Sequence, residues 1–237
     1  MVRSALAVTA LLCAAGASYG QLYNNGPIVT HPGGMTGAAA GADRSAISPT
    51  GGTFGYGSAA GNRLADDFLS DASWQITSIS FFVYTTGATA PTVTAATLRI
   101  WDAAPNAGGN IIWGDATTNV LTSVAFTNIY RTTGTDTAGT TRRIQEVVIN
   151  MPNLVLGAGT FWLDWSFTGG SFVPPVSSTV APVGGNALQF LNSSQAWNPL
   201  AEATAGVTLP FIIYGVPSPS AAAGLGLIGL VGLRRRR

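Results

Sequence analysis

The chain contains no lysine, one cysteine and one histidine, and only 9% of its 237 residues are charged, against roughly 25% in an ordinary soluble domain. Each scarcity excludes a chemistry. Without lysine there is no Schiff base. Cys13 lies inside an apolar N-terminal stretch, so residues 21–215 contain no disulfide, thiolate metal site or cysteine nucleophile. His31 stands alone in a Thr-His-Pro-Gly loop, so a triad or a multi-histidine metal site would rest on one residue. Residues 21–215 contain no Gly-x-Ser-x-Gly elbow. All basic residues are arginine, and five of the eleven sit near the ends: Arg3, Arg234, Arg235, Arg236 and Arg237. The middle of the chain therefore sets six Arg against ten acidic residues, a formal charge of −4. A nucleic-acid partner would need the opposite balance.

What is abundant is apolar and small: 46% hydrophobic residues and 30 glycines. Residues 1–20 carry one positive residue, Arg3, then an apolar run over 5–17 broken by Thr9, then small residues before Gln21. That is the plan of a secretory signal peptide. Cleavage after Ala17 or after Gly20 fits the small-residue pattern, and Gly20 is favoured because Gln21 opens a polar, strand-like segment.

The other end reads Val216-Pro217-Ser218-Pro219-Ser220, then an uncharged stretch over 221–233, then four Arg. Thirteen helical residues span about 20 Å, short of the roughly 30 Å hydrocarbon core. Counting from Val216 gives about 27 Å, with arginine side chains able to reach the head groups. Four consecutive Arg should stop translocation, leaving the tail cytoplasmic and the preceding domain outside. The glycines at 224, 226, 229 and 232 make this a weak span.

A Pro-x-Pro element, a short Gly-rich apolar segment and a terminal Arg cluster, on a chain with a signal peptide, resemble the PEP-CTERM protein-sorting signal over 216–237. Ser218 stands where that family's motif usually has Glu. The resemblance implies a transient transmembrane helix in the lipid bilayer. It also implies processing at Val216, Pro217, Ser218 and Pro219 by an exosortase-type membrane enzyme, then transfer to the cell surface or an exopolysaccharide matrix.

Between the ends, residues 21–63 are glycine-rich and punctuated by Pro27, Pro32 and Pro49. They read as loops lying over the domain, with one short strand near 27–30. From residue 64 the pattern is strand-like over 64–68, 74–85, 95–101, 111–113, 121–131, 144–150, 160–167, 187–191 and 207–214, separated mostly by Gly, Pro, Asn or Asp. In 160–167, Phe161, Leu163, Trp165 and Phe167 alternate with Thr160, Trp162, Asp164 and Ser166, predicting one core face and one partly wet face. An all-β, antiparallel, jelly-roll-like β-sandwich over 64–215 fits these short strands. The runs Ala65-Asp66-Asp67-Phe68, Leu98-Arg99-Ile100-Trp101 and Phe161-Trp162-Leu163-Asp164-Trp165 resemble a module of secreted bacterial proteins of unknown activity.

Carboxylates are the remaining catalytic resource. A glycosidase needs two set roughly 5 to 9.5 Å apart. Asp66 and Asp67 are neighbours on a strand and point to opposite faces. Asp102, Asp115, Glu146 or Asp164 would have to meet through the fold. Asp66 or Asp67 with loop carbonyls are the candidates for Ca²⁺, although their spacing matches no calcium loop, and no cofactor is expected. Trp162 on the polar phase of its strand and Trp101 beside Asp102 are the candidates for stacking on sugar rings. The sequence thus predicts an exported, non-enzymatic surface or matrix protein, with a carbohydrate-binding module and a secreted polysaccharide hydrolase as alternatives.

Overall fold

The structure, a computed structural model, describes residues 20–48, 52–176 and 185–218. The expected signal peptide up to Tyr19, and Pro219, Arg234, Arg235, Arg236 and Arg237 of the sorting segment, lie outside the described residues. Among those described, no helix is long and apolar enough to cross a membrane. The strands in chain order are β1 (Gly20–Asn24), β2 (Asp43–Ala46), β3 (Tyr56–Gly57), β4 (Arg63–Ser70), β5 (Trp74–Tyr84), β6 (Ala95–Trp101), β7 (Ile111–Asp115) and β8 (Ser123–Thr132). There follow β9 (Arg143–Leu156), β10 (Gly159–Thr168), β11 (Phe172–Val173), β12 (Leu188–Leu191), β13 (Ala196–Pro199), β14 (Ala201–Glu202), β15 (Ala205–Gly206) and β16 (Phe211–Pro217). The one helical element described is a single 3-10 turn, Gly37–Ala39.

These strands form two main sheets. One has the order β1-β16-β5-β9-β8-β2, with the short β11 and β3 attached; the other runs β13-β12-β4-β10-β6-β7. The named pairings are antiparallel except that of β2 with β8, which is parallel. Apolar side chains of both sheets form one core that includes Leu64, Phe68, Phe81, Leu98, Ile149, Leu163, Trp165 and Phe211. Burial at this scale supplies the main favourable free energy of folding. Trp165 sits at its centre, its ring centroid 4.8 Å from that of Phe81 and 6.2 Å from that of Phe211.

Strand phase explains which residues enter the core. In β4, Leu64, Asp66 and Phe68 point inward and are buried, while Leu69 on the other face is exposed. In β5 the register shifts between Ile76 and Ser78. That bulge lets Ile76 and Ile79, an odd number of residues apart, both reach the core. Gly114 in β7 adopts φ +75°, and a Cβ there would run into the carbonyl oxygen of Leu98 on β6, so glycine is what allows this edge strand to lie close.

The glycine-rich segment departs from the expectation of loops with one strand near 27–30. It contributes β1, β2 and β3 to the larger sheet, while around His31 there is only an isolated bridge to Arg44. Gly26 at φ +95°, followed by Pro27, turns the chain out of β1. Ile28, Val29 and Phe54 then pack over Phe82, Tyr84 and Ile144 on the outer face of that sheet. At the far end, Pro210 lacks an N–H for the ladder, so β16 starts at Phe211 and runs on through Val216 and Pro217. Two residues of the expected sorting motif therefore belong to the sheet, and the Ser218 N–H donates to the Ser73 carbonyl oxygen at 2.7 Å.

Candidate functional site

The outer face of the six-stranded sheet gathers the densest set of aromatic and charged groups. Register alone builds it. Trp162 on β10 lies between Asp67 on β4 and Trp101 on β6; the next outward pair, Asp164 and Arg99, lies beside Ala65. Beyond β4, Phe190 of β12 pairs with Arg63 and with Trp197 of β13.

Asp164 is the hub. Arg63 Nε lies 3.1 Å from its Oδ1, Arg99 Nη2 lies 2.8 Å from its Oδ2, and Trp101 Nε1 donates to Oδ2 at 3.2 Å. Burial pushes the Asp164 carboxyl up, while Arg99 and then Arg63 pull it back. The ion pair with Arg99 is off the hydrogen-bond line, so Arg99 Nη2 is buried without a hydrogen-bond acceptor. Two guanidiniums against one carboxylate leave one positive charge in surplus. The Arg63 guanidinium lies 3.9 Å above the Phe190 ring and 5.0 Å from the Trp197 ring, a cation–π arrangement that holds it flat. Burial lowers the Arg63 pKa, with Asp164 opposing.

The expectation that this face of β10 is partly wet is corrected for two of its members. Trp162 is only 6% exposed and Asp164 is 1% exposed. Trp162 is covered because Ala65, Leu188, Trp101, Trp197 and Ala104 pack round it. Ala104 comes from the β6–β7 loop, which Asp102 closes by accepting from the Asn110 backbone N–H at 2.6 Å and from its side chain at 3.1 Å. Trp101, Phe190 and Trp197 remain half-buried and reachable. Sequence reading named Trp101 and Trp162 and missed Arg63, Arg99, Phe190 and Trp197. Their signal lay in strand pairing, which no single stretch of sequence displays.

The other expected residues lie apart from one another. Asp66 points into the core, where Asn25 Nδ2, the Leu209 N–H and the Asp67 N–H donate to it at 2.8, 2.7 and 3.0 Å. Burial drives its pKa up to about 7 despite these donors. Asp67 faces the outer side, so the pair does divide between faces. The N–H donors around Asp66 occupy the positions a cation's other ligands would need, and no group of three His, Cys, Asp or Glu able to hold a metal occurs among the described residues. Asp115 accepts from the backbone and hydroxyls of Thr117 and Thr118 at 2.6–2.8 Å, which hold it far below the carboxylate range. Asp102 is likewise lowered by Asn110. Glu146 sits on β9 opposite Phe82 and Ala125. His31 is exposed, with Nδ1 2.7 Å from Thr30 Oγ1, and slight burial and Arg44 lower its pKa. Compared with known protein families and with curated proteins, the chain matches none.

Proposed function

We propose that the chain is an exported, non-enzymatic surface or matrix protein, held transiently in a membrane by residues 216–237 and released by an exosortase-type enzyme. The observation that carries this reading is the pairing of Gly20 with Gly215 on adjacent strands. The segment before β1 and the segment after β16 therefore leave the sandwich from one end, so export signal and anchor would sit on the membrane side together. The main core among the described residues is built from strands between β1 and β16, and the apolar stretch at 221–233 is read as the part that meets lipid. Nested antiparallel pairing, β4 with β10 around β5 with β9, supports a jelly-roll path for the passenger. Mass spectrometry of the mature C-terminus tests the reading: an end near Ser218 supports processing, and an intact Arg237 in all the material rejects it.

The half-buried Trp101, Phe190 and Trp197, around a centre with one surplus positive charge, favour a second reading as a module for acidic polysaccharide. Flat rings stack on pyranose faces, and a guanidinium pairs with a uronate carboxylate. Glycan arrays comparing neutral and uronate-bearing chains discriminate this reading.

A further inference from the structure

Five large apolar side chains are exposed among the described residues: Leu69 at 60%, Val155 at 56%, Ile111 at 45%, Ile112 at 44% and Phe172 at 41%. Their positions in the register are not scattered. Leu69 is the penultimate residue of β4 and lies opposite Thr160, beside the start of β10. Val155 is the penultimate residue of β9 and lies opposite Gln75, which is itself opposite Val216. Ile111 opens β7 opposite Trp101, the last residue of β6, and Ile112 follows at the bulge. These four surround the end of the sandwich where Pro217 pairs with Trp74 and Ser218 binds Ser73. Phe172, opposite Tyr84, is at the other end.

Positive charge follows the same division. Arg44 and Arg131 lie on the β2–β8 pair, with Arg143 opposite Tyr130, Arg63 at the start of β4 and Arg99 opposite Asp164. None is at the Ser218 end. The connections there, residues 71–73, 102–110 and 157–158, consist of Ala, Gly, Ser, Asn and Pro apart from Asp71 and Asp102. A surface of bulky apolar residues among small ones, without a base, has little to attract anionic head groups but can enter the head-group layer.

We propose that this end of the sandwich docks on the lipid bilayer, with Leu69, Ile111, Ile112 and Val155 entering the interface. The proposal rests on the membrane-anchor reading above. The occupant follows from where the chain goes next: Pro219 leads directly into the uncharged 221–233 stretch and the four Arg. Only Pro219 and Ser220 separate Ser218, the last described residue, from that stretch. Anchoring therefore places the apolar end against lipid at high effective concentration, and a contact too weak to recruit the free domain becomes populated once tethered. Docking is apolar in origin, so raising the salt leaves it intact.

The test uses the full chain carrying Cys13→Ser, reconstituted in phosphatidylcholine vesicles containing a lipid-borne quencher. A fluorophore is attached to one introduced cysteine at a time: Leu69→Cys, Val155→Cys, Phe172→Cys and, in the tail, Leu227→Cys. Docking predicts quenching at 227, 69 and 155, none at 172, and no change on raising the salt. Quenching at 227 without quenching at 69 or 155 overturns docking and leaves the anchor standing. An unquenched 227 overturns the anchor and docking with it. Burial of the 69 and 155 probes without lipid quenching, together with a doubled particle mass, assigns the surface to a second copy of the chain and also overturns the proposal. Because positions 69 and 155 are exposed, labelling leaves the fold intact, which an unchanged melting temperature verifies.

Discussion

Asn25, just after β1, donates from its side-chain amide to the Asp66 carboxylate across 2.8 Å, joining residues 41 positions apart inside the sandwich. Asn25 also donates to the Leu209 carbonyl oxygen, and its own Oδ1 accepts from the Tyr23 hydroxyl. The first strand is thereby fastened to a carboxylate on the core side of the opposite sheet. That carboxylate is costly to ionise where it lies.

The Asp66 pKa is raised to about 7 from 3.8, so the folded state binds its proton more tightly than the unfolded chain does. The resulting stabilisation is fully present below the unfolded pKa and is lost as pH rises through about 7. Calorimetry between about pH 4 and pH 8 should show this site lowering the melting temperature as pH rises. In Asp66→Asn that part of the slope disappears, whatever the mutant's absolute stability. An unchanged slope would show that Asp66 does not titrate in this range.

Trp165 has no exposed surface and packs against the Phe81 and Phe211 rings of the opposite sheet. Trp165→Ala should cost about 3–5 kcal/mol in urea unfolding, from lost transfer free energy and the cavity left behind. Trp197→Ala, on the last strand of its sheet and half-buried, should cost about 1 kcal/mol. Equal losses would place the core elsewhere.

Among the described residues, Asp164 is the only carboxylate in ion pairs with Arg63 and Arg99. Asp164→Asn leaves two guanidiniums crowded together and should destabilise by about 3 kcal/mol. Arg63→Met alone should cost less, since Arg99 still neutralises the carboxylate. The double mutant should recover part of the sum, and strict additivity would show that the two groups do not interact.

If the aromatic row binds acidic polysaccharide, Trp101→Ala and Trp197→Ala should each weaken binding to a uronate-bearing glycan about tenfold, the effect of removing a stacking anchor. Phe172→Ala, on the other sheet, should leave binding unchanged. Titration calorimetry reads both.

Periodicity placed most of the sandwich. The strand read at 95–101 has the observed bounds of β6, and those read near 64–68, 74–85 and 160–167 differ from β4, β5 and β10 by only a few terminal residues. The parity of Leu64, Asp66 and Phe68 already put Asp66 on the core side, a local signal that the focus on Asp67 as its neighbour obscured. The short strand β2 was hidden because Asp43–Ala46 has no apolar alternation and joins the sheet through backbone pairing with β8, whereas the start of β1 at Gln21 was read as strand-like. Trp162 obeyed its outward phase yet became buried, because Leu188 and Ala104 arrive from distant stretches. The arginines around Asp164 escaped notice for the same reason: register, a property of pairs of strands, brings them together.

The bond between the Ser218 N–H and the Ser73 oxygen gives the junction a mechanical character. An enzyme that grips a substrate in extended form across residues 216–219 meets backbone already committed to Trp74 and Gln75. On the proposed reading, cutting there would wait for those last rungs to unzip, and the pace of release would be governed by how often the strand end frays. Substitutions that loosen Trp74 would hasten scission without touching the recognised residues, making the folded domain itself the timer of its own departure.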